Sequence, residues 1–228
     1  MFKKILVIAP HADDEVLGCG GYIWKQTSSG AVVDIAVVAA GGLHHPHLSA
    51  PVTLSERQEE LRKSCTILGA NPLDILYPNM DMRLDTVPMV DLVAKFDAIL
   101  EQGNYSFVLL PYPSYNHDHR IVFEAAWSAL RPRNKNVVSA IACYEYGHVQ
   151  HQAAHEFAPA GGKYYQSLSK KAFTAKIEAL RCYRSQLRPN PSPVNEEVVE
   201  TLAKMRALEC RLTGVQYAEL FYLQKMIS

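Results

Sequence analysis

Ile5-Leu6-Val7-Ile8-Ala9-Pro10-His11-Ala12-Asp13-Asp14-Glu15 decides how this chain is read. Five apolar residues in a row describe a short strand buried on both faces, the kind found in a parallel α/β sheet. In open α/β sheets, ligands bind beyond the carboxyl ends of the strands. Here that end carries one imidazole and two adjacent carboxylates. His11 and Asp14 suit a divalent metal as one nitrogen and one oxygen ligand. Asp13 is then left beside the metal, where a hydrolase needs a base for water. Taken alone, the pattern is more simply a strand followed by a helix whose N-terminus Asp13 or Asp14 caps.

A second cluster shifts that balance. Tyr115-Asn116-His117-Asp118-His119-Arg120 follows another apolar run, Phe107-Val108-Leu109-Leu110-Pro111. Two strand ends therefore carry imidazole and carboxylate. One histidine from the second loop completes a site of two histidines and one carboxylate, with a position open for water. The spacing does not choose between His117 and His119, and the competing reading of Asp118 is a plain helix cap.

Size and composition bound the rest. The chain has 228 residues, which fits a single domain over 1–228. It carries 23 basic and 23 acidic residues, so its formal net charge is zero and it lacks the electrostatic footprint of a nucleic-acid binder. No apolar run approaches the ~20 residues of a bilayer span. The five cysteines, Cys19, Cys65, Cys143, Cys182 and Cys210, are scattered and odd in number. They read as small core residues of a reducing, cytoplasmic compartment rather than a zinc or disulfide framework.

The elements alternate. Strands are expected near 4–9, 32–39, 73–77, 107–111 and 137–144. Helices are expected near 18–29, 54–68 and 88–101, and behind the second cluster on Val122, Ala125, Ala126, Ala129 and Leu130. That alternation predicts a Rossmann-like α/β fold, a mostly parallel sheet with helices on both faces. Residues 147–166 read as loop. Two C-terminal helices are expected near 169–187 and 194–213. The second presents Val198, Leu202, Met205, Leu208 and Leu212 on one side, and these helices are candidates for pairing with another subunit in a homo-oligomer.

With both clusters placed, the chain resembles the LmbE/PIG-L family of metal-dependent N-deacetylases. The family's opening signature, His-Pro-Asp-Asp-Glu followed by Leu-Gly-x-Gly-Gly, is matched by His11 to Glu15 and by Leu17-Gly18-Cys19-Gly20-Gly21. Asp118-His119-Arg120 matches its second signature. Arg57-Gln58-Glu59, Leu68-Gly69, Lys176, Ala179-Leu180 and Tyr183-Arg184-Ser185-Gln186 agree as well. The resemblance implies that His11, Asp14 and His119 bind the metal, Zn2+ or another divalent ion such as Fe2+. It implies Asp13 as general base and an acetylated amino sugar or related amide as substrate, either a small molecule or a glycoconjugate. Two departures stand out. Ala12 replaces the usual proline, and Asn116 stands where many members carry a histidine. Asn116 can donate a hydrogen bond to an oxyanion but cannot deliver a proton.

Arg57 and Asp81 are the expected substrate-binding residues, since each lies in or after a loop at the same sheet end; Arg83 and Asp85 are weaker. Tyr115, Tyr144 and Tyr146 are further candidates for lining a sugar pocket. His44-His45-Pro46-His47 reads as a loop at the rim, and His148, His151 and His155 as a group with helical spacing in a loop-like stretch. Two other functions share the triad: a non-haem Fe(II) oxygenase, which leaves Asp13 without a task, and a sugar-binding protein without turnover.

Overall fold

The computed structural model describes residues 2–42, 51–132, 137–145, 161–189, 192 and 194–227. Its elements are β1 (Lys4–His11), α1 (Asp14–Ser28), β2 (Val32–Ala40), α2 (Leu54–Leu68), β3 (Asn71–Pro72), β4 (Tyr77–Pro78), a 3-10 turn (Leu84–Thr86), α3 (Met89–Gly103), β5 (Phe107–Pro111) and α4 (His117–Ala129). They continue with β6 (Ala140–Tyr144), β7 (Gly162–Leu168), α5 (Lys170–Leu180), α6 (Glu196–Cys210) and β8 (Tyr217–Met226). The sheet runs β3-β2-β1-β5-β6-β8-β7, with β4 also on β2.

The strand order itself places a crevice. From β1 the chain moves through α1 to β2 and then β3. It returns through α3 to the other side of β1 and continues through β5 and α4 to β6. Parallel crossovers are right-handed, so reversing direction puts the two sets of helices on opposite faces. The reversal falls between β1 and β5, which pair in parallel at Ile5 with Phe107. Beyond the carboxyl ends of those two strands the loops diverge and leave room for a ligand.

The core is the expected one. Ile5, Leu6, Val7, Ile8 and Ala9 are fully buried, as are Ile35 to Ala40 and Val108 to Leu110. Burial on both faces explains why these strands show no alternation of polar and apolar residues. Cys19, Cys65 and Cys143 are buried and all five cysteines are free thiols. No helix among the described residues is long and apolar enough to cross a membrane.

Three differences from the sequence reading lie in its less regular parts. The strand expected near 73–77 is two pairs of residues, β3 and β4, broken by the turn between Pro72 and Tyr77. Residues 162–168, inside and beyond the stretch read as loop, form β7. The reading places no element after 213, yet β8 is a ten-residue strand, antiparallel to both β6 and β7. The sheet is therefore mixed at that edge. Glu219 interrupts the apolar run of β8, which hides the strand from a hydropathy pattern.

The reason Glu219 sits there is visible in α1. Cys19 leaves helical geometry at φ −141°, ψ 22°, so α1 is two short helices joined at a kink. A break of this kind orphans carbonyls on one side and amides on the other. Glu219 accepts from Gly21 N at 3.0 Å and Tyr22 N at 2.7 Å. Lys176 donates to Leu17 O at 2.9 Å and pairs with Glu219 at 2.6 Å. An anion at the new N-terminus and a cation at the new C-terminus also match the helix dipoles. At Gly18 the break meets the buried Tyr144 ring, which lies where a Cβ would be.

Helix α6 corrects a further expectation. In α6 the buried residues are Val199, Ala203, Arg206 and Ala207. The apolar stripe read from the sequence points away from the core: Met205, Leu208 and Leu212 are exposed, Leu208 by 78%. Its buried face holds an ion pair instead, with Arg206 gripping Glu145 at 2.6 and 3.0 Å.

Candidate metal centre and its supports

β1 ends at His11 and α1 begins at Asp14, so the intervening turn faces the crevice. From the other side of the switch point, the loop after β5 enters α4, whose first turn contains His117, Asp118 and His119. The two meet. His11 Nδ1 lies 3.4 Å from Asp14 Oδ2, and His119 Nε2 lies 3.4 Å from the same oxygen. His11, Asp14 and His119 are all buried, with ligand atoms within 4.8 Å of one another. His117 is turned aside, its Nε2 3.2 Å from Met82 O and its side chain 36% exposed.

The donor set fits a divalent ion of the zinc type, which takes imidazole nitrogen and carboxylate oxygen and keeps one position open. Burial pushes the His119 imidazolium down to about 4, so this ring is neutral, as a metal would require of it. Burial opposes ionisation of Asp14, but His119 and His11 outweigh it and hold the carboxyl below its usual range. His11 has the reverse balance. Burial disfavours its charged form, yet Asp81, Asp118 and Asp14 together raise its pKa well above that of a free imidazole. A metal ligand must be deprotonated, so an ion held at His11 would displace a proton.

Each ring is oriented from behind. Asp118 Oδ2 lies 3.0 Å from His11 Nε2, leaving Nδ1 to face Asp14. Ser114 Oγ lies 3.3 Å from His119 Nδ1, leaving Nε2 to face Asp14. Outer partners of this kind fix a ligand's tautomer and direction. Asp118 also accepts from Met82 N at 2.8 Å and Leu84 N at 3.1 Å, tying the 79–86 loop to the site. The grouping of His11, Asp81 and Asp118 is thus the outer face of the same histidine.

Asp13 stands next to this triad. It occupies the N-cap position of α1, but its side chain caps nothing, so the simple helix-cap reading does not describe it. Its backbone is at φ 137°, ψ −25°. A non-glycine residue there is strained on the order of 1–3 kcal/mol, and such residues cluster at functional sites. Burial lifts the Asp13 carboxyl well above the usual range, against the pull of Arg57 at 3.8 Å.

The expected substrate residues separate. Asp81 joins the cluster, its Oδ1 3.2 Å from His11 Nε2. Arg57 is buried instead. It is 1% exposed and donates to Ala12 O, to Glu60 at 2.8 Å and to Ser185 Oγ at 3.2 Å. Tyr144 is fully buried, its hydroxyl donating to Ile8 O at 3.0 Å, and is core rather than pocket lining. Tyr115, Arg83 and Asp85 are exposed. Tyr146, His44, His45, His47, His148, His151 and His155 lie outside the described residues.

Asn116 caps α4. Its Oδ1 accepts from Asp118 N at 3.0 Å and its Nδ2 donates to Met82 Sδ at 3.4 Å. The amide nitrogen carries two hydrogens and the thioether takes one. Glu15 is the residue the motif reading passes over: it is fully buried and accepts from Asp13 N, Tyr183 Oη and Ser64 Oγ. A charge directly behind two functional carboxylates, at the start of a helix, was the signal for it.

Comparison with known proteins adds an independent line. The family model described as PIG-L, GlcNAc-PI de-N-acetylase, matches residues 6–130, more than half of the chain. Diacetylchitobiose deacetylase of Thermococcus kodakarensis is 27% identical over 228 residues, covering 95% of this chain and 81% of that protein. Among solved structures, a zinc-inhibited form of the teicoplanin deacetylase Orf2 superposes with TM-score 0.74 at 19% identity, covering 96% and 97% of the two chains. The 4-carboxy-2-hydroxymuconate hydratase GalB of Pseudomonas putida gives TM-score 0.76 at 18% identity, covering 99% and 98%. One fold therefore carries both kinds of named enzyme, and the choice between chemistries rests on the site.

Proposed function

Because the chain belongs to the PIG-L family of GlcNAc-PI de-N-acetylases, we propose that it is a zinc-dependent hydrolase that removes the acetyl group from an N-acetylated amino sugar. The observation that carries this reading is a buried carboxylate, Asp13, next to a buried triad of two imidazoles and one carboxylate. His11, Asp14 and His119 would hold a divalent ion, which would supply Lewis-acid polarisation of the amide carbonyl and a lower pKa, toward ~7, for water.

The chain's own residues do the rest. Asp13 accepts the proton of the attacking water, and burial makes its carboxylate more basic than an exposed one. The amide nitrogen must be protonated before it leaves. Asn116 cannot supply that proton, so Asp13 returns the one it took. Asn116 offers its second amide hydrogen to the oxygen that gains charge. Asp118 and Ser114 keep the imidazoles aimed, and Asp81, beside His11, is the carboxylate we assign to sugar hydroxyls.

The test uses the full chain loaded with Zn2+ and, separately, Fe2+. Acetate and free-amine release are followed on N-acetylglucosamine and N,N'-diacetylchitobiose, the latter suggested by the named relative. Release that requires the metal supports the reading. Oxygen uptake in the Fe2+ form, or sugar binding without acetate release, would replace it with the oxygenase or the binding protein.

A further inference from the structure

We propose that the turn Tyr183–Ser185, acting through Glu15 and Arg57, is a positioning clamp that fixes the Ala12–Asp13 peptide and so aims the Asp13 carboxylate. This rests on Asp13 as the base of the proposed reaction. The clamp itself is a matter of hydrogen bonds about one peptide unit.

Both polar ends of that unit are held. Its carbonyl, Ala12 O, accepts from Arg57 Nη2, and its amide, Asp13 N, donates to Glu15 Oε2 at 3.0 Å. Each holder is held in turn from the same short turn of the C-terminal third. Tyr183 Oη donates to Glu15 Oε1. Ser185 Oγ accepts from Arg57 Nη1 at 3.2 Å. Glu60 closes the second arm, accepting from Arg57 at 2.8 Å, from Ser185 N at 2.8 Å and from Ser185 Oγ at 2.7 Å. The Arg57 guanidinium also lies 5.5 Å from the centre of the Tyr183 ring, which joins the two arms.

The clamped unit leads into the strained residue. With φ at 137°, Asp13 is where an L-residue goes only when its surroundings insist. Rotation of the Ala12–Asp13 peptide toward ordinary φ carries the Asp13 Cβ to a new direction. Asp14 has an anchor of its own, His11 N donating to Asp14 Oδ2 at 2.9 Å. Release of the clamp therefore moves the base and leaves the ligand.

Tyr183→Phe removes the hydroxyl that holds Glu15, and Ser185→Ala the hydroxyl that meets Arg57, Glu60 and Gln186, each with little loss of volume. Both variants are expected to bind one Zn2+ as the parent does. In metal-loaded protein, kcat for acetate release from N-acetylglucosamine falls on the order of 10-fold to 10²-fold with KM unchanged, the scale of a misplaced reacting group. In an Asp13→Asn background the same substitutions cost nothing further. Hydrogen exchange of the Asp13 amide, measured on metal-free protein, accelerates at least ~10-fold while β5 amides keep their protection. Loss of zinc, an equal fall in kcat in the Asp13→Asn background, or unchanged Asp13 exchange overturns the clamp. If the parent releases no acetate from any probe, the deacetylase reading fails and the exchange measurement still decides the clamp. Ser185→Ala carries the test alone should Tyr183→Phe not fold.

Discussion

Residues 4–130 and residues 161–227 divide the work unequally. The first region holds His11, Asp13, Asp14, Asp81, Asn116, Asp118 and His119, every group placed at the candidate centre. The second places none there among the described residues. Yet it supplies Lys176 and Glu219 to the broken α1, and Tyr183 and Ser185 to the turn before it. The difference teaches that the reactive groups are local, two short loops at one switch point, while their geometry is held from far along the chain. Substitutions in the first region should thus abolish chemistry and spare the fold. Those in the second should erode stability or aim and spare the ligands.

The largest effect sharpens the first half of that contrast. His119→Ala should lose bound metal and acetate release together, read by metal stoichiometry and turnover on one preparation. His117→Ala should keep both; the opposite pattern would reassign the ligand. Next comes Asp13→Asn, which should retain metal and fold while kcat falls about 10²–10⁴-fold, the usual contribution of a general base. Near-normal turnover would remove Asp13 from the mechanism.

Lys176→Met tests the other region. It leaves Glu219 buried without its cation, and removing one partner of such a pair typically destabilises by about 3–5 kcal/mol. The midpoint of denaturant unfolding should move accordingly, with kcat per bound metal in the surviving folded protein close to the parent's. A stability change below ~1 kcal/mol would mean that the break in α1 needs no clamp.

Asn116→Asp addresses a residue with two tasks. Aspartate caps a helix as well as asparagine does, but it has no N–H to give. If the donor role holds, kcat per bound metal should drop about 10²–10³-fold with thermal stability unchanged. Unchanged kcat would leave Asn116 as the cap of α4 alone. The smallest effect is expected at Leu208→Ser on the outward stripe of α6. Being 78% exposed, it should shift stability within about 0.5 kcal/mol. A larger loss would mean that this face is covered in solution.

Legibility followed the range of the interactions. Burial on both faces leaves its mark in consecutive residues, so β1, β2 and β5 were readable as apolar runs, and α2 ends at Leu68 as its glycine stop implies. The two loops of the candidate centre were readable because each donor type stands in a short motif behind a strand. α6 misled for a specific reason. Its buried face contains Val199, two alanines and Arg206, paired with Glu145, whereas Met205 and Leu208 lie outward. A hydropathy stripe assigns the apolar side inward and has no means of seeing a buried ion pair.

By itself the sequence determined the alternation of strands and helices, the two strand-end clusters and the kind of donor each offers, because these are properties of neighbours along the chain. Spacing left His117 and His119 open, the family signature favours His119, and it is His119 that faces Asp14; only the tertiary structure decided that Arg57 is spent on Ala12 O, Glu60 and Ser185, and that β8 runs against β6. It also decided that a lysine and a glutamate 43 residues apart mend the break in α1. These outcomes depend on which buried polar groups find partners, and the partners lie up to 198 residues away, as for Gly21 and Glu219. A buried donor or acceptor must be satisfied wherever its partner falls in the chain, and no local pattern records that distance.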